Sequence, residues 1–281
     1  MSGTENKLNV IKTVINAGAE KPFRLLQITD SHIARGDPSG GRRQKIFDVN
    51  GEGSSERNFF AAMDYAEKNG LTVLHTGDII DFFSQENFDF IDKYFSREDI
   101  VFAAGNHDFC HCVGKAKEDH AYKWEKIKEI APHIKTNMYF FARVINGVNI
   151  VTLDNSYYLI SEGQTEMLKA EAAKGYPIIL TVHVPFYTEK LAAEVMRENP
   201  CAYLCGAPTE LLETYEPHRK AQQTPDAATL AAIGYIKSEP LIKAVFAGHV
   251  HRNFEEKLTD TLTQYATHGS FAGYAREITV I

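Results

Sequence analysis

The chain has 281 residues, a formal net charge of −7 and a pI near 5.9, which argues against a broad basic face made for nucleic acid. Hydrophobic residues at 44% and charged residues at 24% are ordinary for a folded domain, so disorder and low-complexity classes are set aside. No apolar run approaches the roughly 18 residues of a membrane span, and residues 1–10 lack an apolar signal core, so a cytoplasmic location is expected.

Strand-like and helix-like segments alternate along the chain, the pattern of an α/β fold. An apolar run over 23–29 predicts a buried strand. Residues 34–57, with their Gly, Ser and Arg content, read as a long loop, a length that is usually functional. Phe59, Phe60, Met63 and Ala66 share one helical face within 56–69, and Gly70 stands where a C-terminal cap belongs. A strand over 71–76 follows, then a helix over 84–95 carrying Phe88, Ile91 and Phe95, and a strand over 100–104. Trp124, Ile127 and Ile130 mark a helix over 120–130. Residues 138–145 and 148–153 form a hairpin about Asn146-Gly147, a favoured tight-turn pair. Ser161 with Gln164 three places on is a capping box for a helix ending near Gly175. Strands over 177–183, 241–247, 261–267 and 277–281 complete the reading.

Residues 187–240 are the least regular stretch. They hold an amphipathic segment (Leu191, Ala192, Val195, Met196) and an Ala-rich helix over 226–237. One domain over 1–281 is expected, with 187–240 as a cap or insertion over the site, or else a peripheral decoration. Cys110, Cys112, Cys201 and Cys205 read as reduced thiols in a chain of this length without a signal core.

Polar clusters end five of the apolar runs: Asp30-Ser31-His32, Gly77-Asp78, Gly105-Asn106-His107-Asp108, His183 and Gly248-His249-Val250-His251. Polar groups at the carboxyl ends of several strands converge on one crevice in open α/β sheets. Asp30, His32, Asp78, Asn106, His183, His249 and His251 offer oxygen and nitrogen donors and no thiolate, a set suited to Mn, Fe, Zn or Mg. Seven donors exceed the needs of one tetrahedral ion. With one bridging carboxylate they fit two, and ions roughly 3.5–4 Å apart are a recurring device for attack at phosphorus. Alternate residues of an extended chain point the same way, so Asp30 and His32 can reach one ion, as can His249 and His251 unless a turn divides them.

Other ester-cleaving schemes lack their residues. Gly269-Ser270-Phe271-Ala272-Gly273 has the wrong spacing for a nucleophile elbow, and Phe109 stands where a phosphate-binding loop ending in Gly114-Lys115 needs glycine.

In order and spelling, D-x-H, G-D, G-N-H-D, a lone H and G-H-V-H resemble the calcineurin-like metallophosphoesterase superfamily, from Asp30 to His251. The resemblance implies two packed mixed β-sheets flanked by helices. It also implies one ion on Asp30, His32, Asp78 and His251 and a second on Asp78, Asn106, His183 and His249, with Asp78 as the bridge. It further implies phosphoester hydrolysis by in-line attack of a bridging hydroxide. His107 is then the general acid, oriented by Asp81, with Asp108 the other neighbouring candidate. Phosphoprotein phosphatases of the superfamily carry Arg after the position of Asp81. Phe82 stands here, so the chain is more similar to the bacterial-type phosphodiesterase branch. Arg35, Arg42, Arg43 and Lys45 could supply the missing phosphate contact or form a solvated basic loop. A small-molecule phosphodiester or nucleotide is the expected substrate. A phosphomonoester is the near alternative, and a non-catalytic binding protein on the same fold the remote one.

Overall fold

The computed structural model describes residues 8–97, 100–109 and 119–281. In chain order the elements are β1 (Asn9–Ile15), β2 (Phe23–Ile28), α1 (Arg42–Phe47), α2 (Ser54–Asn69), β3 (Thr72–His75), α3 (Gln85–Tyr94), β4 (Ile100–Phe102), α4 (His120–Ile130), β5 (Phe140–Ile145) and β6 (Val148–Leu153). There follow α5 (Glu162–Ala172), β7 (Ile178–Thr181), α6 (Glu189–Val195), α7 (Thr209–Leu212), α8 (Pro217–Gln223), α9 (Ala227–Ser238), β8 (Ile242–Ala247), β9 (Phe254–Lys257), β10 (Thr263–Ala266) and β11 (Tyr274–Val280).

The strands form two mixed sheets, ordered β1-β11-β2-β3-β4 and β5-β6-β7-β8-β10-β9. β2, β3 and β4 run parallel, as do β6, β7 and β8. Side-chain alternation sorts three layers of core. Leu25, Leu74, Ile150, Ile179 and Phe246 meet between the sheets. Leu26, Ile28 and Val73 point the other way, onto Phe59 of α2 and Phe90 and Ile91 of α3. Val151, Leu180 and Val245 point outward from the second sheet onto Leu168 of α5 and Ala232 and Ile236 of α9. The α/β fold with two packed mixed sheets and flanking helices is therefore the observed one.

Several local signals act as the sequence predicts. Asn146 and Gly147 both take positive φ in the β5–β6 turn, as a tight two-residue hairpin requires. Ser161 and Gln164 complete the capping box at the start of α5. Residues 34–57 depart from the expected loop: α1 lies inside them and α2 begins at Ser54. β1 and β9 carry no sequence expectation. β1 exposes three of its seven residues and is held by parallel pairing with β11, at the far end of the chain. Residues 187–240 also divide. α9 covers the second sheet, whereas α6 belongs to a smaller cluster of Leu191, Val195, Leu204, Leu212 and Val250 beside the cleft described below. Cys201 and Cys205 are buried free thiols, with burial pushing Cys205 up to about 12. Cys110 and Cys112 lie outside the described residues. Among the described residues no helix is long and apolar enough to cross a membrane.

Candidate metal centre

The carboxyl ends of β2, β3, β4, β7 and β8 meet along one line where the two sheets touch. Hydrogen bonds cross the join: Gln27 Nε2 donates to Ala247 O at 3.0 Å, and His183 Nδ1 lies 2.7 Å from Thr76 O. All seven sequence-predicted donors come together here, and Asp30, His32, Asp78, Asn106 and His183 are buried.

The backbone at the strand ends is unusual. Asp30, His32, Asp78, His249 and His251 all have φ between 45° and 66°. Such a conformation costs an L-residue on the order of 1 kcal/mol and persists only where its surroundings over-determine it. The surroundings do so: Asp30, Ser31 and His32 N–H groups donate to Gly77 and Asp78 carbonyls at 2.8–3.0 Å. Asp30 and His32 thus converge through two left-handed residues in a turn, not through the strand alternation expected of them. Asp30 and His32 group with His251, and Asp78 and His183 group with His249. A turn at Gly248–His251 therefore sends the two histidines of that motif to different partners. Close approach explains two motif glycines. A Cβ on Gly105 would lie 2.2 Å from Asp78 Oδ1, and one on Gly248 1.9 Å from Thr29 Oγ1.

The inward atoms are lone-pair donors facing one another. His32 Nε2 is 3.3 Å from His251 Nε2, and His249 Nδ1 is 3.2 Å from His183 Nε2. The outward nitrogens are tied back, His183 Nδ1 to Thr76 O and His249 Nε2 to Tyr158 Oη at 2.9 Å. Outer partners of this kind fix the tautomer of a ligating histidine. Asp78 Oδ1 accepts from His107 N–H at 2.8 Å, which leaves Oδ2 at 3.3 Å from His183 Nε2 and 3.8 Å from His32 Nε2. Asn106 Oδ1 stands 3.1 Å from His183 Nε2. Imidazole nitrogens directed at each other beside buried carboxylates, with an amide oxygen among them, form a cradle of oxygen and nitrogen donors that fits a divalent metal.

The electrostatics agree. Burial disfavours charge on Asp30, yet the imidazoles of His251 and His183 hold it well below the usual carboxylate range. The same contest, with His183 and His107 as partners, lowers Asp78. Burial opposes a proton on His183, but Asp78 pushes its pKa up to about 9. His249 moves the other way, lowered by burial and by His183.

Beside the cluster, His107 Nδ1 lies 2.7 Å from Asp81 Oδ1. Asp108 does something else. Its carboxylate accepts the backbone N–H groups of Asp78, Ile79 and Gly105 at 2.8–2.9 Å and clasps the two motif turns together. Arg43 forms a two-pronged pair with Asp81, and Arg35 pairs with Glu56, so neither is a loosely solvated loop cation. Phe82 is fully buried.

Side chains that motif reading missed complete the surroundings. Phe47 of α1 stacks on His32 with centroids 3.8 Å apart and planes 6° from parallel. Tyr158 and Tyr203 are, with Asn146, the remaining non-glycine residues of positive φ among those described, and both tyrosines lie against His249. The local sequence carries no metal-site signal for any of them. The cluster opens into a cleft of about 800 Å³. Its lining also includes Glu194, Asn199, Tyr203, Arg219 and Gln222.

Comparison with known proteins follows the geometry. A family model described as calcineurin-like phosphoesterase matches residues 23–253. Among solved structures, the chain is similar to a dimetal phosphatase from Danio rerio at 12% identity and TM-score 0.49, covering 89% of this chain and 88% of that one. It is similar to a putative 5′-nucleotidase from Staphylococcus aureus at 13% identity and TM-score 0.45, covering 89% of this chain and 49% of that one. A phosphopantetheinyl hydrolase from Mycobacterium tuberculosis shares 10% identity at TM-score 0.42, covering 94% and 92%. No curated protein sequence matches the chain significantly.

Proposed function

The chain belongs to the calcineurin-like phosphoesterase family of metal-dependent phosphoester hydrolases, and from that premise we propose that its cleft holds two divalent ions with Asp78 between them. The observation that carries this reading is the place of Asp78 Oδ2, within 3.3 Å of one histidine group and 3.8 Å of the other. Asp30, His32 and His251 hold the first ion with Asp78. Asn106, His183 and His249 hold the second. Mn, Fe, Zn and Mg are the candidate metals for this oxygen and nitrogen set. When bound, such ions supply Lewis acidity toward phosphoryl oxygens and make a coordinated water more acidic.

The protein's own groups do the rest. With Nδ1–H given to Asp81, a protonated His107 ring would pass its other ring proton to the departing oxygen, the part a general acid plays. The Asp81 carboxylate orients the ring and favours its protonated form, which carries the proton to be given. The substrate is a small phosphodiester or nucleotide on this reading. A cleft of about 800 Å³ suits a small molecule, and the buried Phe82 offers no grip on a phosphoprotein. A phosphomonoester remains the alternative. Within a single domain, the part of 187–240 that carries Tyr203 and Arg219 is the cap that selects among substrates.

The direct test is metal stoichiometry. Protein reconstituted with Mn²⁺ or Zn²⁺ should bind two ions per chain, and Asp78→Asn should weaken both. A single ion that makes no contact with Asp78, located by anomalous scattering, removes the proposal. A panel of mono- and diesters run with each metal decides the substrate class.

A further inference from the structure

Arg43 and Phe47 stand four residues apart on α1, hence on one helical face. Both side chains touch the machinery behind the cleft. Phe47 lies flat on His32. The Arg43 guanidinium sits 5.6 Å from the Phe47 ring centre and reaches Asp81, with Nη2 2.8 Å from Oδ1 and Nε on Oδ2. The start of α1 is itself anchored, since Arg43 N–H donates to Asp37 Oδ2 at 2.8 Å and to Ser39 Oγ at 3.1 Å. Arg43 is not among the side chains lining the cleft.

We propose that Arg43 is a positioning residue for His107, acting on the reaction only through Asp81. This rests on reading His107 as the general acid and names the group that holds it ready. Asp81 is fully buried and has two imidazoles within reach: His107 Nδ1 at 2.7 Å and His32 Nδ1 at 3.5 Å, both from Oδ1. A carboxylate hinged at one bond can turn toward either. A planar guanidinium on both of its oxygens fixes the carboxylate plane, a geometry that a lysine cannot reproduce. It also neutralises a buried charge that is costly when left alone. Arg43 thereby settles which imidazole Asp81 serves and holds the His107 ring in its place at the cleft. With Nε and Nη2 on Asp81 and no place in the cleft lining, Arg43 on this proposal does not grip the phosphate.

The experiment compares Arg43→Met and Arg43→Lys, each in wild type and in His107→Ala, all reconstituted with Mn²⁺. Each is assayed on an alkyl phosphate ester and on a nitrophenyl ester, with metal content measured alongside. Arg43→Met should lower kcat on the alkyl ester about 10–100-fold, as loss of an outer partner does. The nitrophenyl ester should lose less, KM should hold, and metal should stay bound. In the His107→Ala background the Arg43 change should cost nothing further, because its route is already cut. Arg43→Lys should restore only part of the loss. A raised KM on both esters at full kcat identifies a phosphate contact and overturns the proposal. Additive losses in His107→Ala overturn it as well, since Arg43 then acts elsewhere. If His107→Ala alone loses metal and slows both esters equally, the acid reading fails and the Arg43 role falls with it. If Arg43→Met does not fold, Arg43→Gln takes its place in every comparison.

Discussion

His107 and His249 are both imidazoles at the cleft, and the proposed function gives them different work. His107 is 15% exposed, its Nδ1 on a carboxylate. His249 faces another imidazole and is tied behind to a tyrosine hydroxyl. His107→Ala should therefore keep metal content and lose roughly 10²–10⁴-fold in turnover of esters with poor leaving groups. Nitrophenyl esters, which need little protonation, should lose less. His249→Ala should weaken metal binding and depress both esters together. Equal losses with lost metal for His107→Ala would show that it is a ligand. His183 adds a pH dependence. Its pKa in the metal-free chain is raised to about 9, so near neutrality it carries a proton that an incoming metal must displace. Apparent metal affinity should rise about tenfold per pH unit for this one proton and level off above pH 9. Isothermal titration between pH 6 and 9 measures the slope, and a flat profile contradicts the assignment.

At the scale of elements, short helices divide into those that hold the fold and those that hold the site. α5 opens on a capping box in which Ser161 accepts from Gln164 N–H at 3.1 Å and the Gln164 side chain reaches back to Ser161 N–H. Ser161→Ala should cost about 1 kcal/mol of stability, read by denaturant melts, with turnover and metal content preserved. α1 is the opposite case. At six residues it is too short to persist alone, so its contacts with His32 and Asp81 are what hold it. Phe47→Ala removes the ring stacked on His32 and should lower metal affinity about 10–100-fold. Unaltered affinity would reduce Phe47 to a core residue.

For the molecule as a whole, two sheets join along the line that carries the cluster, so binding and stability are coupled. Buried carboxylates and imidazoles that converge without a cation repel or compete for protons. Metal at about 1,000 times its Kd should therefore stabilise the fold by roughly 4 kcal/mol. Chelation should lower Tm accordingly, and an unmoved Tm would mean that the cluster binds no metal in the folded state. The cleft wall begins at that line, with Tyr203 against His249 and Arg219 over the Tyr203 ring. Tyr203→Ala and Arg219→Ala should change relative rates across an ester panel while metal stays bound. Constant relative rates would remove this wall from substrate selection.

What the sequence alone determined is local. Asn146-Gly147 dictates its turn because the strain belongs to those two residues, and Ser161 with Gln164 starts a helix by satisfying donors within one turn. The seven donors were visible because each ends an apolar run, and strand ends share an edge in parallel sheets. Which donors face each other followed from the family resemblance and not from the residues themselves, and the tertiary structure groups them the same way. His32 meets His251 across 219 positions, and no local pattern encodes such a contact. The loss of strand geometry at Asp30 and His32 is equally non-local, since left-handed backbone survives there only through bonds to Gly77 and Asp78. Phe47 and Tyr158 were invisible for the same reason, and Arg43 was visible only as a possible phosphate contact, not as the partner of Asp81. An aromatic or an arginine in a polar stretch carries no mark of its partner until the chain has brought α1 against the ends of β2 and β3.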